Sequence, residues 1–195
     1  ATVAAANQEA PPVVCLDVTV DAVALPAGED DAAALTSERR LVRAAKAKER
    51  GVQLYARGRL RAALRSYDDG LRLLTAPFAS KVAPDAAATS QQHPVDPWHG
   101  DSIKDSRGLL MNATLLNGAL AASKRGDHRA AEGYCTQVLA RRPGGDNTNV
   151  KALFRRGRAR IAMERWDEAD DDLARAGRLD PSLAREVAVE RRHVT

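Results

Sequence analysis

Three stretches of this chain share one outline, and a repeated outline confines a chain to a narrow set of folds. They are Gly58-Arg59-Leu60-Arg61-Ala62-Ala63-Leu64-Arg65-Ser66-Tyr67, Gly126-Asp127-His128-Arg129-Ala130-Ala131-Glu132-Gly133-Tyr134-Cys135 and Glu164-Arg165-Trp166-Asp167-Glu168-Ala169-Asp170-Asp171-Asp172-Leu173. Each opens on a turn, sets an alanine five residues on (Ala63, Ala131, Ala169) and places a larger side chain four residues later (Tyr67, Cys135, Leu173). A small residue stands upstream of each turn, at Gly51, Ala119 and Gly157, where a neighbouring helix can approach closely. Two units close on a proline, Pro143 and Pro181, which cannot continue a helix. A single helix-turn-helix unit cannot bury its apolar face alone, so the copies must stack.

The outline resembles the tetratricopeptide repeat, a helix-turn-helix unit of about 34 residues. The resemblance implies an all-α solenoid of three helix pairs closed by a C-terminal capping helix. The repeats fall at about 37–74, 105–143 and 148–181, with the cap at 182–193. Apolar spacing supports each element. Leu41, Ala44, Ala45, Ala47, Gly51, Leu54 and Tyr55 predict a helix over about 37–57, capped by Thr36 or Ser37, and Leu60 to Leu74 is its partner. Helices are predicted at Ser106–Lys124, His128–Leu139, Asn149–Met163 and Asp167–Leu179. Leu183, Val187 and Val189 mark the cap, Ser182–His193. Residues 75–104 leave the repeat period and hold Pro77, Pro84, Pro94 and Pro97, which reads as a long loop pinned by Phe78 and Trp98.

The first 35 residues are different. Val14, Leu16, Val18 and Val20 alternate with polar or small partners, the pattern of a strand with one buried face. An acidic linker follows from Gly28. A strand, an acidic linker and then a repeat array, in that order, is similar to FKBP-type immunophilin co-chaperones. Relatives of the aryl-hydrocarbon-receptor-interacting protein share the extended link inside the array. The resemblance implies that residues 1–35 are the last strand of an FKBP-like domain plus its linker, and that 36–195 form the repeat domain. The start at Ala1 without methionine predicts a piece of something longer, and any prolyl-isomerase pocket would lie upstream of it. This chain is therefore expected not to be an enzyme.

Charge is distributed unevenly. Residues 1–35 hold six acids (Glu9, Asp17, Asp21, Glu29, Asp30, Asp31) and no Lys or Arg, so the remainder carries all 30 bases against 20 acids. A basic helical domain implies an acidic partner. In a subset of tetratricopeptide proteins, cations and amides on the first helices of the pairs clamp the C-terminal carboxylates of heat-shock chaperones. The first-repeat pattern of that clamp, Lys-x-x-Gly-Asn, is met by Lys48-Glu49-Arg50-Gly51-Val52, with Val52 in place of the asparagine. Asn117 stands nine residues before Gly126, as the second repeat requires. Lys151 and Arg155 supply the Lys-x-x-x-Arg of the third. The resemblance thus implies that Lys48, Asn117, Lys151 and Arg155 bind peptide carboxylates. Charge-assisted hydrogen bonds contribute about 1.5–3 kcal/mol each, and the missing amide at Val52 costs about 0.5–1.5 kcal/mol. A scaffold groove for some other protein segment is the alternative.

Other chemistry finds little support. The run Arg155-Arg156-Gly157-Arg158-Ala159-Arg160 spreads its arginines around a helix axis and lacks the aromatic platform of a nucleic-acid site. Asp167 to Asp172 opens a helix, where acids complement the dipole, and reads as a solvated terminus. His93, His99, His128 and His193 show no metal-ligand spacing, and Cys15 and Cys135 support neither a disulfide framework nor zinc. Cys135 reads as a core thiol. No cofactor, catalytic residue or metal site is predicted, and neither nucleic acid nor membrane is an expected partner. With no membrane-length apolar run and no signal peptide, the expected compartment is the cytoplasm.

Overall fold

The computed structural model describes residues 35–77, 98, 101–141 and 149–192. Seven α-helices follow one another: α1 Ser37–Ala56, α2 Leu60–Thr75, α3 Asp101–Lys124, α4 His128–Ala140, α5 Val150–Ile161, α6 Trp166–Leu179 and α7 Ala184–Arg191. A short 3-10 turn, Pro181–Leu183, leads into α7. The predicted strand at Val14–Leu25 and the predicted anchor Phe78 lie outside the described residues. Helix α3 begins at Asp101, earlier than the proline-rich composition upstream suggested. Trp98, just ahead of it, is buried at 4% exposure, as expected of an anchor. The cap is shorter than its apolar pattern implied, because Asp180 accepts from the Ser182 backbone N–H at 3.0 Å and holds the first turn in 3-10 form.

Local chemistry explains the helix starts. Thr36 accepts from the Arg39 N–H at 3.4 Å, Asp127 from Ala130 at 3.1 Å and Asn149 from Ala152 at 3.0 Å. Each satisfies a backbone donor that has no partner within its helix. The turns inside the pairs take one backbone solution. Gly58, Gly126 and Glu164 all adopt a left-handed φ, of 69°, 84° and 59°. Two of the three use glycine, which adopts that conformation without strain; Glu164 does not.

The small residues upstream of the turns seat one helix of a pair on the other. A Cβ on Gly51 would lie 2.3 Å from the Tyr67 ring, and one on Gly157 would lie 2.8 Å from Leu173 Cγ. In the middle pair the relation moves by one residue. Gly118 lies against the Tyr134 ring, where a Cβ would meet it at 3.2 Å. Ala119 and Cys135 are both fully buried in one apolar cluster. Less bulk at 135 accommodates the methyl at 119.

The helices form two layers. Within each pair, α1 packs on α2, α3 on α4 and α5 on α6. In addition α1 packs on α3, and α3 on α5, so the first helices make a continuous inner layer. Helices α2 and α4 both pack on α3, in addition to α1 and α5 respectively, and barely touch each other. A layer that is closer on one side curves the array, with α1, α3 and α5 on the inside. Long α3 has neighbours on several sides and is apolar around much of its circumference, as a helix so surrounded must be. One apolar cluster runs from Ala44 and Leu74 through Leu115 and Leu139 to Leu153 and Ala176. A second joins Tyr55, Ala63 and Tyr67 to Ala121, Ala131 and Ala159. Val187 of α7 closes the far end, packed near Gly177. No described helix is long and apolar enough to cross a membrane.

Candidate functional site

The four candidate carboxylate-binding residues all stand on the inner layer: Lys48 on α1, Asn117 on α3, Lys151 and Arg155 on α5. Arg155 reaches back to α3, where its Nη1 donates to the Leu116 carbonyl at 2.5 Å, one residue from Asn117. That bond holds the Arg155 guanidinium against α3. Asn117 is only 7% exposed, yet its amide makes no hydrogen bond among the described residues. An amide without a protein partner can donate to and accept from a ligand. Lys48 is half-buried and Lys151 exposed, and neither forms an ion pair among the described residues. No hydrogen bond or ion pair among the described residues ties Lys48 to the other three. Val52 is half-buried and packs against the second apolar cluster, so this position supports the core rather than offering an amide.

The opposite face of α5 behaves differently. Arg156 forks onto Asp172, with Nε–Oδ2 at 2.8 Å and Nη2–Oδ1 at 2.7 Å. Arg160 meets the same carboxylate at 2.9 Å, Glu132 Oε1 at 2.8 Å and Glu168 Oε2 at 3.2 Å. Arg165 joins Glu132 at 2.6 Å and also pairs with Glu168. Farther along α5, Arg158 pairs with Glu190 of α7 at 3.0 Å. The acidic run that opens α6 is thus not simply solvated. Asp172 is 4% exposed between two arginines, and Asp170 pairs with Arg191 of α7. Helical periodicity turns the end of that run inward, onto the arginines of α5 and the glutamate of α4. The signal was present in the sequence as Asp172 directly preceding the buried Leu173.

Two further arginines have structural roles that the sequence did not announce. Arg40, fully buried, donates to the carbonyls of Ala76 and Pro77 just beyond α2. Arg107 donates to the Leu74 carbonyl through Nε at 2.9 Å and Nη2 at 2.7 Å, and lies over the Trp98 ring at 4.6 Å. Together they satisfy carbonyls at the end of α2 that have no helical partner.

Titration behaviour separates structural from reactive groups. Burial pushes the Cys135 thiol up to about 12, against the weaker pull of Arg155 and Arg156, so it is a protonated core residue at neutral pH. Burial likewise pushes the Tyr67 phenol up to about 12. Among the described residues no group of three His, Cys, Asp or Glu could hold a metal ion.

This arrangement of pairs has solved counterparts. The C-terminal TPR-containing domain of an FK506-binding protein from Plasmodium falciparum superposes with a TM-score of 0.66 at 20% identity, covering 84% of this chain and 93% of that one. The fold is a tetratricopeptide-repeat array. The first TPR of Spaghetti (RPAP3), bound to the HSP90 peptide SRMEEVD, matches with a TM-score of 0.52 at 23% identity, over 78% of this chain and 90% of that one. Two curated relatives are FK506-binding proteins or prolyl isomerases by name. FK506-binding protein 59 of Drosophila melanogaster is 38% identical over 69 residues, 35% of this chain and 15% of that protein. Peptidyl-prolyl cis-trans isomerase PASTICCINO1 of Arabidopsis thaliana is 34% identical over 90 residues, 46% of this chain and 13% of that protein. The matches thus span less than a sixth of either relative's length. No protein-family model matches the chain. The chain therefore resembles the repeat domains of FKBP-type proteins.

Proposed function

We propose that this domain is the peptide-docking module of an FKBP-type co-chaperone, and that Lys48, Asn117, Lys151 and Arg155 hold the C-terminal carboxylates of a cytosolic heat-shock chaperone. One observation carries the reading: the inner layer keeps uncommitted polar groups where the rest of α5 commits its own. Lys48, Lys151 and the buried amide of Asn117 make no ion pair or hydrogen bond among the described residues, whereas Arg156, Arg158 and Arg160 are each paired with acids. A C-terminal aspartate presents two carboxylates close together, which lysines can neutralise and an arginine fork can grip. The HSP90 peptide held by the Spaghetti repeat ends Glu-Glu-Val-Asp, a ligand of this chemistry on the same fold. In this reading residues 1–35 are the tail of an FKBP-like domain and its linker, residues 36–195 are the docking domain, the isomerase domain lies upstream, and the protein works in the cytoplasm.

A second reading rests on Val52. That side chain packs into the apolar cluster and offers no amide. A groove that lacks this amide suits a segment of another protein, with the array acting as a scaffold in a larger assembly.

Calorimetric titration with an acetylated peptide ending Met-Glu-Glu-Val-Asp separates the two. Micromolar binding that Lys151→Ala, Arg155→Ala and C-terminal amidation each weaken by roughly tenfold or more supports the clamp. Absence of binding by the folded chain favours the scaffold.

A further inference from the structure

The outer layer carries a cationic cleft that the inner groove does not explain. Because α2 and α4 splay apart over α3, a cavity of about 450 Å³ opens between them. Its size is that of a small-ligand site. Arg61 and Arg65 line one wall from α2, and Arg125, from the turn after α3, lines another. Leu64 and Ala130 give the cavity an apolar base. Arg61 and Arg65 stand four apart on one helix face, where like charges repel. Both are exposed, and neither forms an ion pair or hydrogen bond among the described residues.

The cleft is built rather than accidental. The Tyr134 ring lies against Gly118 of α3, and its hydroxyl donates to Asp68 Oδ1 of α2 at 2.6 Å, so one side chain ties three helices together. Burial, and then the Asp68 carboxylate, raise the Tyr134 phenol, which keeps this donor protonated at neutral pH. Arg125 pairs with Asp127, and Asp127 also caps α4. That pair fixes the guanidinium at the rim. Asp127 is paired with Arg125, and Asp68, which also lines the cavity, keeps its negative charge while it accepts from Tyr134, so Arg61, Arg65 and Arg125 still outnumber the acid among the lining residues.

We propose that this cleft binds a phosphorylated segment of a partner protein, with Arg61 and Arg65 gripping the phosphate monoester, Arg125 supporting them, and Leu64 and Ala130 receiving the flanking side chains. Guanidinium forks match phosphate oxygens, and arginines in excess over the one lining carboxylate suit a phosphate near charge −2. The apolar base and the cavity's size favour a peptide over a bare ion. This site is on the opposite layer from the carboxylate groove and stands whether or not that groove works as proposed.

The test uses the whole chain, labelled with nitrogen-15, and an acetylated, C-amidated peptide of Ala and Leu around one phosphoserine. Amidation removes the terminal carboxylate that the inner groove would take. The proposal expects saturating shifts at the Arg61 and Arg65 Nε–H signals and at Tyr134. Affinity should fall roughly tenfold or more in Arg61→Gln/Arg65→Gln, whose exposed positions leave the amide spectrum otherwise intact. Lys151→Ala should bind the phosphopeptide normally. Equal binding of the serine peptide, equal affinity for inorganic phosphate, shifts confined to Asn117 and Arg155, or full affinity in the double variant would each overturn it.

Discussion

Helix α5 carries two cationic pairs at the same spacing, Lys151 with Arg155 and Arg156 with Arg160, and the fold uses them in opposite ways. Arg156 and Arg160 turn toward α6 and α4, where Asp172, Glu132 and Glu168 consume their charge. Arg155 turns toward α3 and donates to the Leu116 carbonyl, and Lys151 is exposed and forms no ion pair among the described residues. One face of the helix is therefore an internal cross-link between pairs, and the other anchors Arg155 on α3 and leaves Lys151 exposed. Spacing along the sequence cannot distinguish the two pairs. The acids that distinguish them come from other helices.

The comparison breaks most severely at Asp172. Asp172→Ala leaves two guanidiniums, each about one-seventh exposed, without their shared carboxylate. Removing one partner of a buried ionic set costs about 3–5 kcal/mol, and urea unfolding should register a loss of that order. Lys151→Ala, on the other face, should change stability by no more than about 0.5 kcal/mol. A large loss from Lys151→Ala, or none from Asp172→Ala, would erase the distinction.

Gly157 sits between the two faces and sets how close α5 lies to α6. Gly157→Ala forces a Cβ to 2.8 Å from Leu173, and overpacking of this kind costs about 1–3 kcal/mol. Thermal unfolding should show it. The shift of α5 should also disturb the neighbouring Arg156–Asp172 fork more than Arg155, a difference visible in side-chain Nε–H signals.

At the turn into α6, Glu164 holds φ at 59° without glycine's freedom. Glu164→Gly should gain about 1 kcal/mol while leaving both cationic faces in place. A neutral or unfavourable result would mean that the Glu164 side chain contributes contacts of its own.

Dependence on pH sharpens the picture from both ends. Asp127 is held below the usual carboxylate range, first by the Ala130 N–H and then by Arg125, and Glu168 chiefly by Arg165. A depressed folded value means stability present above the unfolded carboxyl range near pH 4 and lost as pH falls through the folded values. Cys135 and Tyr67 are raised to about 12, so their contribution is full below their unfolded values and disappears as pH climbs toward 12. Stability should therefore be broad around neutrality. Tyr67→Phe should flatten the alkaline limb, and chemical denaturation at about pH 7 and about pH 11.5, on either side of the unfolded phenol value, would check it.

The array was legible because its signals are local. Ala63, Ala131 and Ala169 sit at fixed distances from a left-handed turn, and Gly51 and Gly157 face the large residues that the spacing paired with them. Such relations lie within one helix pair, so the sequence alone carries them. The caps at Thr36, Asp127 and Asn149 are equally local. The inner-layer candidates follow from the same register, which is why Lys48, Asn117, Lys151 and Arg155 all fall on first helices.

What lay beyond the sequence was the fate of each polar group once layers met. Asp172 resembled its solvated neighbours in the acidic run until α5 and α4 were packed against it. Arg40 and Arg107 looked like surface charge until the end of α2 supplied carbonyls. The cleft between α2 and α4 exists only because the outer layer splays over α3. By itself the sequence determined the repeat, the turn and the face on which each residue stands, because those depend on neighbours a few positions away. The tertiary structure alone decided which charges are satisfied, because a charge's partner can come from any helix, and only packing brings it within about 3 Å.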